Sequence, residues 1–226
     1  MKLSKISKTL GMSAGVLMLG AVATSALAGD LAVKNWRVFS ILPTAPVWDI
    51  DKAQSLPGGG VEFPFQQLGD GEFAVYMHAN YNVDLTGKTI TATVGVDVTG
   101  DTHFWTRSIE CANTGDDAYV RLEFQSVNQG PYDPSNYWWS TGDNSWNLSY
   151  LAVSGPQPLS ISTTDLSKWS NINGQLASAD PAGFAKALKN VKQVSLAFGS
   201  ACKYASGVAV TGGGGTFQLL SYTIAP

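Results

Sequence analysis

The sequence predicts an all-β chain: a two-sheet antiparallel β-sandwich of the jelly-roll kind, with one short helix near residues 180–192. Three observations carry this expectation. Apolar and polar residues alternate with a period of two in run after run, which places successive side chains on opposite faces of a strand. Each run is rich in β-branched or aromatic residues and is bounded by Gly, Asn, Asp or Pro. One stretch alone has helical spacing. About ten to twelve short strands require two packed sheets, and their number comes closest to a jelly roll. An immunoglobulin-type sandwich would need fewer strands, and Cys111 and Cys202 stand too far apart for its internal disulfide.

Taken in order, the chain of 226 residues opens with a secretory signal over residues 1–28. Lys2, Lys5 and Lys8 form a basic start, and an apolar run follows from Leu10 to Val22. Ala26-Leu27-Ala28 is an A-x-A cleavage pattern. The apolar run is too short and too rich in Gly and Ala for a transmembrane helix, so no membrane insertion is expected after cleavage. Residues 29–226 then form a single β-sandwich domain, secreted or periplasmic.

Candidate strands follow at Val33–Ile41 and Val61–Gln67, the second demoted to an edge or bulge by Pro64. Phe73, Val75, Met77 and Ala79 alternate with Ala74, Tyr76 and His78. Ile90 to Val98 alternates with Thr89, Thr91 and Thr93. Further strands are expected at Thr102–Cys111, at Tyr119–Ser126 with Val120, Leu122 and Phe124 on one face, and at Trp146–Val153. Leu159–Thr163, the run through Val194, Leu196 and Phe198, Val208–Val210 and Thr216–Ile224 complete the set. The last strand changes phase between Leu219 and Leu220, which predicts a bulge or burial on both faces. The helix begins at Ser178-Ala179-Asp180-Pro181, a capping side chain followed by a first-turn proline. It continues through Phe184, Leu188 and Val191. Gly58–Gly60 and Gly212–Gly215 read as surface turns; neither stands between a strand and a helix as a phosphate loop would.

Charge and cysteines narrow the function classes. Beyond the signal, 11 Lys and Arg face 17 Asp and Glu, a net negative balance that argues against a nucleic-acid partner. In an oxidising compartment Cys111 and Cys202 are expected to form a disulfide; the alternative is two buried thiols. Two cysteines and two histidines lie far apart, without metal-ligand spacing. No cofactor is implied. The turn residues Asp97, Asp101, Asp116, Asp117, Asp133 and Asp143 could hold a structural calcium, although turn-forming Asx residues account for them more simply.

The C-terminal third carries a family resemblance. Lys168-Trp169-Ser170-Asn171 and Asn173-Gly174-Gln175 lead to Phe184 and Asn190-Val191-Lys192. Val194-Ser195-Leu196-Ala197-Phe198-Gly199 and Thr216-Phe217-Gln218-Leu219 follow. This succession resembles the galactose-binding-like jelly rolls of secreted carbohydrate-binding modules, as does Val120-Arg121-Leu122-Glu123-Phe124-Gln125 for a middle strand. The resemblance implies a jelly-roll fold and a polysaccharide or glycan as partner. It covers about half of the chain beyond the signal, and its motifs are structural.

Two groups of residues are candidates for a binding site. The first is the stretch Gly130 to Ser140, whose prolines predict an irregular loop and whose Tyr132, Tyr137, Trp138 and Trp139 are candidate sugar-stacking rings. Adjacent residues point opposite ways, so one of Trp138 and Trp139 should enter the core. The second is the polar strand face Tyr119, Arg121, Glu123 and Gln125, which Trp105 and Arg107 would extend from the preceding strand. Its bland alternative is a solvated outer face. Together they predict a site for a neutral polysaccharide where the aromatic loop meets the strand face. Catalytic patterns are weaker. Glu110 and Glu123 could face each other, and His103, Arg107 and Tyr119 could serve a lyase. No compact carboxylate motif and no G-x-S-x-G occurs. Three function classes stay open: a non-catalytic glycan-binding protein, a polysaccharide-active hydrolase or lyase, and an envelope or matrix interaction protein that binds no sugar.

Overall fold

The computed structural model describes residues 27–28, 35–42, 48–50, 53–107, 117–127 and 133–226. Among them the strands are β1 (Leu27–Ala28), β2 (Trp36–Ile41), β3 (Trp48–Ile50), β4 (Gln54–Ser55), β5 (Val61–Pro64), β6 (Phe73–Val83) and β7 (Thr89–Thr106). They continue with β8 (Ala118–Gln125), β9 (Tyr137–Ser140), β10 (Trp146–Asn147), β11 (Gln157–Ser162), β12 (Trp169–Asn171), β13 (Val191–Ser200) and β14 (Val208–Ala225). Two short helices interrupt them, α1 (Leu148–Ser154) and α2 (Pro181–Leu188). No helix among the described residues is long and apolar enough to cross a membrane.

Every ladder between these strands is antiparallel. One layer runs β11, β7, β14, β5, β4. The other runs β3, β2, β6, β13, β8, β9, β12, with β10 also beside β8. Both β7 and β14 are 18 residues long, and Val208 at the start of β14 also pairs with Ala74 of β6. The hydrogen-bonded network is therefore continuous, and the long strands carry the chain from one layer to the other.

Alternation in the sequence becomes burial between the layers. Val94 and Val96 of β7 lie in one core with Leu122 and Phe124 of β8 and Leu196 and Phe198 of β13, the set expected to be buried together. Phe63, Phe65, Phe198 and Phe217 form its aromatic centre, with Phe198 and Phe217 centroids 4.9 Å apart at 86°. Each such side chain contributes about 1.5–3 kcal/mol of apolar burial.

The expected phase change in the last strand is present: the register of β14 against β7 shifts between Leu219 and Ser221. Other expectations need correction. Gly212–Gly215 is not a surface turn but lies inside β14, where the register against β7 shifts again between Thr211 and Gly213. A side chain at Gly213 would run into the carbonyl of Thr99, so the two long strands cross closely only because glycine stands there. The Trp146–Val153 segment is a strand only at its first two residues. Asn147 then caps α1, its side chain accepting from the Tyr150 N–H at 2.8 Å, and Gly155 closes it. The helix near 180 is shorter than expected. Asp180 caps it through the Gly183 N–H at 2.9 Å, Pro181 opens it, and Val191 already belongs to β13.

Candidate functional site

The face of the second layer that points away from the main core mixes polar side chains with a second apolar cluster of Tyr76, Tyr137, Trp139 and Ala197, against which Phe39 and Tyr204 pack. Register fixes which of its residues stand side by side, with neighbouring strands about 4.8 Å apart. One row crosses six strands: Ser170 of β12, Trp139 of β9, Glu123 of β8, Ser195 of β13, His78 of β6 and Arg37 of β2. On one side lies the row Arg121, Ala197, Tyr76, Phe39. On the other lies Tyr137, Gln125, Gln193, Asn80. The arrangement follows from the pleat. Val194, Leu196 and Phe198 turn inward, so Gln193, Ser195 and Ala197 turn outward beside Gln125, Glu123 and Arg121.

This polar face is withdrawn from solvent. Arg121, Glu123 and Ser195 are 0% exposed and Trp139 is 2% exposed. The Ser195 hydroxyl donates to Glu123 Oε2, and the Gln125 side chain also bonds the carboxyl. Burial outweighs these bonds and pushes the Glu123 carboxyl up to about 8, so it is protonated at neutral pH. Among the described residues, the buried polar atoms here without a hydrogen-bond partner include Glu123 Oε1, Trp139 Nε1, Ser170 Oγ and Arg121 Nε. Native interiors satisfy nearly all such atoms, and leaving one unpaired costs roughly 1–3 kcal/mol.

Arg121 is held as much as it holds. Its Nη1 donates to the Ser200 carbonyl at 3.1 Å and its Nη2 to the Ala201 carbonyl at 3.5 Å. The guanidinium lies 4.2 Å from the Tyr204 ring centroid and 5.4 Å from that of Tyr119. Desolvation lowers it to about 10, which leaves it charged at neutral pH. Arg121 thus ties β8 to the segment after β13.

The aromatic stretch differs from the expected irregular loop. Asp133 caps a turn of 3-10 helix at Pro134–Asn136, accepting from the Ser135 N–H at 2.9 Å, and β9 begins directly after it. Trp138 enters the core, 0% exposed, with its ring 4.9 Å from Phe184 and its Nε1 donating to the Ser135 carbonyl at 3.0 Å. It is therefore removed from the candidate ligand contacts. Trp139 takes the opposite face, as adjacent strand residues must, and stacks on Tyr137 at 6.2 Å and 17°. Neither ring is exposed as a loop aromatic would be. Tyr132 lies outside the described residues.

Trp105 and Arg107 do not extend the β8 face from a neighbouring strand, because β14, β6 and β13 lie between β7 and β8 in the hydrogen-bonding order. Trp105 is half-buried and donates through Nε1 to Thr211 at 2.9 Å; Arg107 is exposed. His103 stands on the same distant strand, 3.6 Å from Asp101. Glu110, Cys111 and Asp116 lie outside the described residues. Cys202 is not a free thiol. Among the described residues no three His, Cys, Asp or Glu side chains stand together as a metal site. The sequence reading missed Ser170, Gln193, Ser195 and His78 as members of this face. Alternation around Met77 and Val194 already marked His78 and Ser195 as outward, but nothing local tells that their strands adjoin β8.

No protein-family model matches the chain, and a search of curated protein sequences finds no match. Among solved structures the chain is similar to the xylan-binding module CBM15, at 16% identity and a TM-score of 0.43, over 89% of this chain and 96% of that one. It is also similar to Xylanase10C from Cellvibrio japonicus in complex with xylopentaose, at 16% identity and a TM-score of 0.38, over 84% of this chain and 27% of that one. The kind of protein the sequence resembles, a carbohydrate-binding module of β-sandwich form, is also the kind these comparisons return. At TM-scores of 0.43 and 0.38 the likeness carries no argument about what this chain binds.

Proposed function

We propose that the chain is a non-catalytic glycan-binding protein, exported by removal of residues 1–28, which binds a polysaccharide on the outward face of β6, β13, β8 and β9. The observation that carries this reading is the row of polar groups around Glu123, Gln125 and Arg121 beside the Tyr137 and Trp139 rings, several of whose buried atoms lack a partner; a sugar reaches them only when side chains packed over the face, Tyr204 among them, move aside. Polar groups converging beside aromatic rings on a rigid sheet suit sugar hydroxyls and ring faces. A hydrolase reading draws on the raised Glu123 carboxyl, which would suit a general acid. Hydrolysis ordinarily uses two carboxylates about 5–9 Å apart, and Glu123 is the one acidic side chain in the three rows.

Affinity gel electrophoresis against soluble neutral and acidic polysaccharides tests the proposal. At least one polymer should retard the protein, and Gln125→Ala should reduce that retardation without changing the circular dichroism spectrum. Absence of retardation by every polymer refutes sugar binding. Release of reducing ends from a retained polymer refutes the non-catalytic part.

A further inference from the structure

Five of the six tryptophans whose side chains are described, Trp36, Trp138, Trp139, Trp146 and Trp169, are buried; Trp105 is not. It belongs to neither apolar cluster among the described residues. Register sets its surroundings. Phe104 and Val210 turn into the core, so His103, Trp105 and Arg107 turn outward, about 7 Å apart along the strand. Opposite them on β14 stand Thr211 and Ala209, and the Arg107 N–H continues the pairing by donating to the Gly207 carbonyl at 3.2 Å. One strand carries three large side chains and its neighbour three small ones, which leaves a step. The Trp105 indole lies across that step. Its Nε1 donates to Thr211 Oγ1 at 2.9 Å, diagonally past Ala209, whose methyl group is fully buried beneath it. One ring face is therefore set against β14, and the ring cannot turn without giving up the Thr211 bond. The other face supplies the exposure that the residue retains.

We infer that Trp105 is a stacking platform for one pyranose unit of a neutral polysaccharide, a site separate from the enclosed face around Glu123, since β14, β6 and β13 lie between β7 and β8. The C–H face of a pyranose ring stacks on the outer indole face. His103 and Arg107 flank the ring along the strand and are exposed, which places N–H groups at the hydroxyls around the edge of the sugar. Thr211 Oγ1 accepts from Trp105 and keeps its own proton to donate. Charge does not select an anion here, because the Asp101 carboxylate stands 3.6 Å from His103 at the same edge. The ring is already held in place, so binding it requires no ordering of the platform. In contrast to the enclosed face, no side chain has to move aside. The inference does not rest on the glycan-binding proposal for that face. One ring and a few hydrogen bonds to exposed groups support a Kd of about 1 mM, too weak to retard the protein in a gel by itself. Gel retention therefore reports on the enclosed face, and Trp105 needs a residue-specific measurement.

Indole N–H resonances supply that measurement, because each tryptophan reports its own surroundings. Nitrogen-labelled protein is titrated with cellohexaose, xylohexaose and galactohexaose to about 10 mM, well above the expected Kd. Trp105→Phe and Trp139→Phe assign the two indole signals of interest. At least one hexasaccharide should shift the Trp105 signal saturably, together with the backbone amides of Ala209 and Thr211. In Trp105→Ala the Ala209 and Thr211 shifts should vanish at the same sugar concentration. Trp105→Phe keeps a ring and loses the Thr211 bond, so it should retain those shifts with an affinity within about tenfold of the wild type. The wild-type titration decides even if Trp105→Ala does not fold. No shift at Trp105 with any of the three sugars overturns the inference, as do Ala209 and Thr211 shifts that persist in Trp105→Ala. Movement of Trp139 without Trp105 also overturns it and leaves the glycan-binding proposal standing. Movement of Trp105 without Trp139 upholds it and leaves the enclosed face to the gel measurements.

Discussion

Glu123 offers the sharpest test of the site's electrostatics. Its carboxyl stands at about 8 in the folded protein against an ordinary value of 4.5. The folded state therefore binds a proton that the unfolded chain has released over the interval between these values. Stability then falls as pH rises through that window, by about 1.4 kcal/mol per pH unit where the difference is complete. Between pH 5 and pH 8 the loss from this group is about 3–4 kcal/mol, reduced at the lower end because the unfolded carboxyl is still partly protonated, and at the upper end because the folded one begins to ionise. Glu123→Gln removes the titrating proton and retains a partner for Ser195. Urea denaturation of both proteins at half-unit intervals from pH 5 to 8 should show the difference, wild type minus variant, drifting steadily against the wild type. Parallel stability profiles would mean that Glu123 is ionised in the folded state, and the account of this buried face would be wrong.

Two further expectations follow from the packing and the cysteines. Trp138→Ala and Trp139→Ala should each lower stability by roughly 3–5 kcal/mol, since Trp138 fills the core against Phe184 and Trp139 is equally buried on the opposite face, but only Trp139→Ala should abolish glycan retention; loss of retention in both or in neither would refute the assignment of faces. Cys111 and Cys202 should be joined, so the denatured, unreduced protein should present no titratable thiol; two thiols would reject the pairing.

Legibility in the sequence follows the range of the interactions. The inward faces of β7, β8 and β13 could be read from alternation alone, because a two-residue period is local. The start of α2 could be read from Asp180 and Pro181, since capping spans three residues. The helix α1 carried the same kind of signal in Asn147 and Gly155, with Leu148 and Leu151 buried three apart, but Trp146 to Val153 also fits a strand pattern and masked it. The prolines before Trp138 suggested an irregular loop, yet they end where β9 begins, and the opposed directions of Trp138 and Trp139 survived that error. The polar row was not legible. Glu123 and Ser195 are 72 residues apart, and their contact depends on β13 entering between β6 and β8, a choice made by the whole core. For the same reason Trp105 and Arg107 were placed beside a strand they do not adjoin.

The final prediction asks whether the polar row serves stability or recognition. A face built for stability would leave no hydrogen-bonding atom unpaired, whereas Glu123, Trp139 and Ser170 each leave one buried and unpaired along a single row. The cost of roughly 1–3 kcal/mol for each is offset by the aromatic core on the other side of the same sheet. The double substitution Glu123→Leu with Ser195→Val removes both members of the central hydrogen bond and leaves neither widowed, a change that is often neutral or stabilising. Such a variant should be at least as stable as the wild type at pH 7, where the buried acid costs most of its proton-linkage penalty, and should lose retention on every polysaccharide that holds the wild type. Thermal unfolding monitored by circular dichroism, together with affinity electrophoresis, separates the two readings. A destabilised variant would make the row part of the scaffold. A stable variant that still binds would place the ligand elsewhere on the molecule.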